Sequence, residues 1–175
     1  MKILRLLFAV FGLAPGGLLR AADTPAKASL VDVVYVSPEK FTDVKDSYNS
    51  DNDKVRDEYL DLLRVHIESH AKYYIAAGQH LALRITNVDM AGDFEPARGP
   101  NFSDIRIIKD VYPPRIKLEF ALTGADGKIL KQGSRDIIDL EFLSGINTYF
   151  PDDPMRYEKA LIDTWLNREF GRLKH

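Results

Sequence analysis

The sequence predicts a single α+β domain in which two helices cover a mixed β-sheet. Apolar and polar residues alternate over residues 80–89 and 116–122, which is the pattern of half-buried strands, and residues 128–140 return as the hairpin partner of the second. Apolar residues recur instead at helical spacing over residues 53–77. No internal repeat or low-complexity tract divides residues 30–175. We therefore expect one domain with the order strand, helix, strand, loop, hairpin, helix.

The first half of this order is a strand followed by a long helix. Residues 30–36 are rich in β-branched side chains and end at Ser37-Pro38, which favours a buried strand. The helix over residues 53–77 places its apolar side chains on one side of a helical wheel, and Gly78 is a suitable residue to end it. A crossover of this kind makes the strands at 30–36 and 80–89 parallel, either adjacent or with one strand between them.

The second half is a loop, a hairpin and a last helix. Residues 90–104 read as an irregular loop, and residues 105–108 as a short strand or bridge. The turn Gly124-Ala-Asp-Gly127 joins the two strands of the hairpin. Asp152-Asp153-Pro154 has the cap and proline that open a helix, which we predict to run to about Phe170.

The N-terminus has the layout of a secretory signal peptide. Lys2 and Arg5 precede an apolar run over residues 6–14, and Pro-Gly-Gly follows this run. The run is too short to span a bilayer, which takes about 20 residues. We predict a signal peptide over residues 1–22, cleaved near Ala21 or Ala22, and a linker over residues 23–29. A retained amphipathic anchor is the alternative. The mature protein is then expected in the periplasm or secreted, with no integral membrane span.

Composition limits the chemistry and the partners of the chain. There is no cysteine, so disulfides, thiol catalysis and cysteine-ligated metal sites are excluded. Loss of Lys2, Arg5 and Arg20 with the leader leaves 21 basic and 26 acidic residues, a net charge of −5. This mild acidity without a basic stripe argues against nucleic acid as a ligand. No cofactor signature is present, and no cofactor is expected.

Two histidines on the long helix form a candidate metal site. His66 and His70 are four residues apart on the apolar side of the wheel, so both imidazoles lie on one face, where they can hold zinc or copper. His80 is a conceivable third ligand. The spacing His-Ile-Glu-Ser-His differs from the His-Glu-x-x-His of metalloproteases. The structural alternative is a pair of histidines at the helix–sheet margin, hydrogen-bonded to backbone or water.

The loop over residues 90–104 is the candidate binding surface. It is long for a connection within a compact domain, and it mixes aromatic with charged side chains that can anchor and orient a ligand. The start of the last helix can add charge beside it, including Glu158. The candidate binding residues are Asp93, Phe94, Glu95, Arg98, Phe102, Asp104, Asp152, Asp153 and Arg156. The structural alternative is a loop pinned by arginine–carboxylate pairs.

Four longer motifs resemble the family known as domain of unknown function 3016. They are VYVSPEKFTD at 34–43, AGDFEPARGP at 91–100, DVYPPRI at 110–116 and YFPDDPMRYEK at 149–159. The resemblance implies a small exported bacterial protein, and it supplies no catalytic residues.

The functional expectation is a non-enzymatic periplasmic module that binds an envelope protein or another envelope component through this loop. Two alternatives remain open. One is a metal-binding protein that uses the histidine pair. The other is a hydrolase in which Asp93, Glu95 or Asp152 acts as acid and base, which requires a carboxylate spacing that sequence does not give.

Overall fold

The computed structural model describes residues 30–50 and 52–174. The predicted signal peptide and linker lie outside these residues. The described chain is one α+β domain whose elements, in order, are β1 (Val31–Tyr35), α1 (Asp53–His70), β2 (His80–Asp89), β3 (Asp93–Phe94), β4 (Arg106–Ile107), β5 (Arg115–Thr123), β6 (Ile129–Ile138) and α2 (Arg156–Phe170).

The main sheet has four strands in the order β1-β2-β5-β6. The helix α1 connects β1 to β2, and these two strands are parallel and adjacent, as the crossover predicts. The hairpin β5-β6 continues the sheet antiparallel, with β5 beside β2. The short strands β3 and β4 pair separately and close the loop over residues 90–104.

Both helices pack on the same face of this sheet. Alternate residues of β2 and β5 are buried and join the helices in one hydrophobic core, whereas residues between them, such as Arg84 and Glu119, are exposed. The opposite face of the sheet is therefore charged. The largest fully buried apolar side chains of the core are Leu63, Ile67, Leu81, Leu83, Ile85, Ile116, Leu118, Met155, Ile162 and Leu166.

Helix ends differ from the predicted bounds by a few residues. The α-helix α1 ends at His70, and a 3₁₀ turn over Ala71–Tyr73 follows, because the chain there switches to a tighter hydrogen-bonding pattern common at helix ends. Gly78 adopts a positive φ of 81° shortly before β2. The helix α2 begins at Arg156 and not at the predicted proline, and the Asp153 side chain accepts the N–H of Met155 before it. The predicted C-terminal bound at Phe170 is confirmed.

Candidate metal centre

The two helices bring together three side chains of types that can bind a metal ion. His66 and His70 lie one turn apart on α1, and their ring centroids are 3.9 Å apart. Asp163, on α2, faces them across the helix–helix contact. Its Oδ1 atom is 2.9 Å from His66 Nε2 and 3.0 Å from His70 Nδ1. One ligand atom from each of the three residues lies within 4.8 Å of the others, so one ion can reach all three.

Tyr149 completes the cluster from the connection between β6 and α2. Its hydroxyl donates to Asp163 Oδ2, and the hydroxyl oxygen of Tyr149 lies 3.4 Å from His66 Nε2. The ring packs edge-on against the His66 ring at a centroid distance of 5.2 Å. Its backbone N–H donates to Asn147 Oδ1, and the Asn147 amide donates to the carbonyl of Arg156. The phenol is thus fixed against the start of α2.

The site is partly buried, and its protonation suits a metal ion. The His66 side chain is 5% exposed, while those of His70 and Asp163 are 33% and 26% exposed. Burial and the neighbouring His66 ring lower the pKa of His70, so that its ring is neutral at pH 7. Burial acts to raise the pKa of Asp163, but hydrogen bonds from His66 and Tyr149 outweigh it and hold that pKa below its usual value. Metal binding requires these forms, a neutral imidazole and a carboxylate.

Burial and the hydrogen bond to Asp163 raise the pKa of Tyr149, so the phenol keeps its proton in the metal-free site. In this state each imidazole nitrogen that faces Asp163 can donate to the carboxylate. A metal ion would replace these N–H···O bonds, and each ring would carry its proton on the other nitrogen.

Sequence spacing singled out only the histidine pair in this cluster. The structure brings His66 and His70 together with Asp163, which could hold a metal with them, and with Tyr149, and neither Asp163 nor Tyr149 was a sequence candidate. Periodicity gave little signal for Asp163, because on a helical projection it lies beside the buried stripe of Leu161, Ile162, Trp165 and Leu166 and not within it. His80 is not part of the cluster, because it pairs with Asp32 at 3.1 Å on the sheet.

Part of the predicted binding loop is packed into the domain. Phe94 is 4% exposed, and the guanidinium of Arg106 lies 4.6 Å from its ring centroid. Glu95 is held by ion pairs with Arg98 and Lys109 and by the Tyr112 hydroxyl. These contacts fix this part of the loop to the domain, as expected for a structural loop held by arginine–carboxylate pairs.

The other candidate residues are distributed over the surface beside this loop. Asp93 lines a cleft of about 410 Å³ together with Asp43 and Asp89. Asp104 and Asp152 are exposed, and Phe102 is half-buried in a 3₁₀ turn. Asp93, Glu95 and Asp152 thus have three different surroundings, and the carboxylates that share a cleft with Asp93 are Asp43 and Asp89.

The predicted binding loop and the start of α2 lie side by side. Asp153 and Arg156, before and at the start of α2, line a cavity of about 250 Å³ together with Met90, Ala91 and Arg106. Asp153 also forms an ion pair with Lys159 at 2.5 Å. Glu158, which sequence analysis placed among the charges near this surface, is fully buried instead.

A comparison with protein families agrees with the motifs in the sequence. The profile of the family described as "Protein of unknown function (DUF3016)" matches residues 29–168. The chain belongs to this family. The matched region of the DUF3016 domain contains His66, His70, Tyr149 and Asp163. No curated protein and no solved structure gives a significant match.

In this DUF3016 domain, no helix among residues 30–50 and 52–174 is both long enough and apolar enough to cross a membrane. The motif at residues 149–159 begins with the tyrosine of the candidate metal centre and ends within the first turn of α2.

Proposed function

We propose that the protein is a non-enzymatic binding protein whose ligand is a divalent transition metal ion, Zn²⁺ or Cu²⁺. The observation that carries this proposal is the convergence of His66, His70 and Asp163 from two helices onto one point. Two imidazoles and a carboxylate form a donor set that both ions accept. Sequence spacing alone supplied two ligands, and the packing of α2 on α1 supplies the third.

The separations between donors support the same proposal. A metal ion at about 2.0–2.1 Å from each ligand places neighbouring donors about 2.9 Å apart at right angles and about 3.3 Å apart in a tetrahedron. The 2.9 and 3.0 Å separations between Asp163 Oδ1 and the two imidazole nitrogens fall close to these values. Small side-chain movements therefore suffice for an ion to enter between the three residues.

Removal of both imidazoles is expected to abolish specific metal binding. Titration of Zn²⁺ into the protein by calorimetry should show one site, and the double variant His66→Ala/His70→Ala should bind more than about 100-fold more weakly. This loss exceeds the 10–100-fold effect typical of residues behind the ligands, because two ligands themselves are removed. Asp163→Asn keeps the size of the side chain and should also weaken Zn²⁺ binding. This variant tests the site even if the double variant does not fold.

The matched control is His80→Ala, because this histidine lies on the sheet, paired with Asp32. It should bind Zn²⁺ as the wild type does. The proposal is wrong if the wild type binds neither Zn²⁺ nor Cu²⁺ at micromolar concentration, or if the double variant binds as tightly as the wild type.

A second candidate function is recognition of an envelope component outside the cytoplasm. The predicted signal peptide supports export. The 250 Å³ cavity supports a binding surface, because it joins Met90 and Ala91 of the predicted loop to Asp153 and Arg156. The buried setting of Phe94 assigns it to the scaffold, so the contact surface in this proposal is the cavity rim and the exposed Arg98.

Chemical cross-linking in living cells tests this second candidate. The tagged wild type should be recovered from the envelope fraction with a mass that begins after Ala21 or Ala22, cross-linked to a reproducible partner. Arg156→Glu should lose this partner because the substitution reverses the charge at the cavity rim. Arg168→Glu, exposed further along α2, should keep it. An uncleaved mass, or equal capture by both variants, argues against this function.

A further inference from the structure

We propose that Tyr149 is the fourth ligand of the metal centre and that the resulting site, with two nitrogen and two oxygen donors, selects Cu²⁺. This inference rests on the proposed metal-binding function. It assigns a ligand that the helix spacing does not indicate, and it selects one of the two ions.

The phenol oxygen lies beside the other three donors. Tyr149 Oη is hydrogen-bonded to Asp163 Oδ2 and lies 3.4 Å from His66 Nε2, within the separation of up to about 4.1 Å that two donors at 2.0–2.1 Å from one ion can have. Its position is fixed on both sides, by the ring contact with His66 and by the chain of hydrogen bonds through Asn147 to α2. The phenol therefore needs little rearrangement to bind an ion held by the other three residues.

Charge balance favours coordination by the phenolate. A divalent ion bound by two neutral imidazoles and one carboxylate leaves a net charge of +1 in a site where the His66 side chain is 5% exposed. An uncompensated charge in such surroundings is unfavourable. Coordination by the phenolate of Tyr149 makes the site neutral. In this step the O–H bond of Tyr149 and its hydrogen bond to Asp163 break, one metal–oxygen bond forms, and one proton passes to solvent.

The four donors also indicate which metal fits. Two imidazole nitrogens, a carboxylate and a phenolate give a nitrogen–oxygen set of the kind found with tetragonal Cu²⁺, which also heads the order of affinities among divalent first-row metals. Four protein ligands also fill the position that a catalytic zinc site keeps for water. The inferred centre therefore holds the ion in place, and its nitrogen–oxygen donor set favours copper.

Optical titration with Cu²⁺ tests the inference. Added Cu²⁺ should give the full chain a visible absorption band from phenolate-to-copper charge transfer. Tyr149→Phe should lose this band and bind Cu²⁺ at least about 10-fold more weakly, because it removes a ligand and not only a residue behind one. It should also release one proton fewer per ion bound. Tyr73→Phe is the matched control, because the Tyr73 ring also packs against His70, at a centroid distance of 6.0 Å, and this variant should keep the band.

The outcomes separate this inference from the proposed function. If the wild type binds Cu²⁺ through His66 and His70 but shows no charge-transfer band, the assignment of Tyr149 is wrong and the metal-binding function stands. A band that persists in Tyr149→Phe also overturns the assignment. If the wild type binds neither Cu²⁺ nor Zn²⁺, both proposals fail together.

Discussion

Replacing Arg106 by methionine is expected to lower the free energy of unfolding by about 3–5 kcal/mol, the usual effect of breaking a buried ion pair from one side. The Arg106 guanidinium forms two hydrogen bonds with the Asp43 carboxylate, at 2.7 and 3.1 Å, and Asp43 is only 8% exposed. It also donates to the carbonyls of Gly92 and Lys45. Methionine keeps most of the side-chain volume but leaves the carboxylate and both carbonyls without this donor.

Denaturant unfolding at pH 7 measures this effect. Arg84→Met is the matched control, because its partner Glu119 forms an ion pair in which both side chains are more than half exposed. Such surface pairs contribute at most about 1 kcal/mol. Adding Asp43→Asn to Arg106→Met should recover part of the lost stability, since no unpaired buried charge then remains. Equal losses for Arg106→Met and Arg84→Met would contradict the structural role of Arg106.

The same cluster shows why the loop over residues 90–104 could not be interpreted from sequence. Its composition, aromatic and charged side chains between glycines and prolines, suits both a ligand surface and a pinned structural loop. Glu95 is held by partners 3 to 17 residues away, but the arginine behind Phe94 is itself held by a distant residue. Arg106 reaches back to Asp43, which is 63 residues away. A local pattern does not contain such a pairing.

The sheet, in contrast, follows from local patterns. The alternation in β2 and β5 depends on neighbouring residues, and β6 follows from the glycine turn at residues 124–127. The parallel pairing of β1 and β2 follows from a general rule of chain handedness. The strand order β1-β2-β5-β6 is one that these rules allow.

The candidate metal centre could be predicted from the sequence only in part. The spacing of His66 and His70 is local and identifies the pair. Asp163 is 97 residues from His66, and it reaches the pair only because α1 and α2 pack against each other on the same face of the sheet. Sequence periodicity places Asp163 outside the buried apolar stripe of its helix, and it does not indicate that this part of α2 contacts α1.

Glu158 is expected to make the stability of the protein depend on pH by about 3 kcal/mol. This side chain is fully buried in the first turn of α2, where Oε1 accepts the N–H of Ala91 at 2.7 Å. Among residues 30–50 and 52–174, no group hydrogen-bonds its Oε2 atom. Burial raises the pKa of Glu158 from 4.5 to about 7, although the Ala91 N–H and the charge of Arg106 act to lower it, while Asp153 acts to raise it.

The direction in which stability changes with pH follows from this raised pKa. Between pH 4.5 and 7 the folded state keeps a proton on Glu158 that the unfolded state has lost, so the free energy of unfolding falls as the pH rises through this range. Each pKa unit corresponds to about 1.4 kcal/mol, and the shift therefore amounts to about 3 kcal/mol by pH 8. Below pH 4.5 both states are protonated, and this contribution to stability is fully present.

Glu158→Gln should remove this dependence. The glutamine carbonyl can still accept the Ala91 N–H, and the side chain stays neutral at every pH. The difference in unfolding free energy between variant and wild type should therefore change by about 3 kcal/mol in favour of the variant between pH 4.5 and pH 8. This comparison cancels the other titrating groups, which both proteins share.

Urea unfolding at several pH values tests this prediction, and the exposed position Glu141 provides the control. Glu141→Gln should follow the wild-type profile across the whole range. If Glu158→Gln also runs parallel to the wild type, the carboxyl group does not exchange a proton on unfolding in this range. Its buried oxygen would then be stabilised as an anion by Arg106 and the Ala91 N–H. A divergence that grows up to about pH 7 and then levels off would instead show that α2 is anchored to the loop by a protonated glutamic acid.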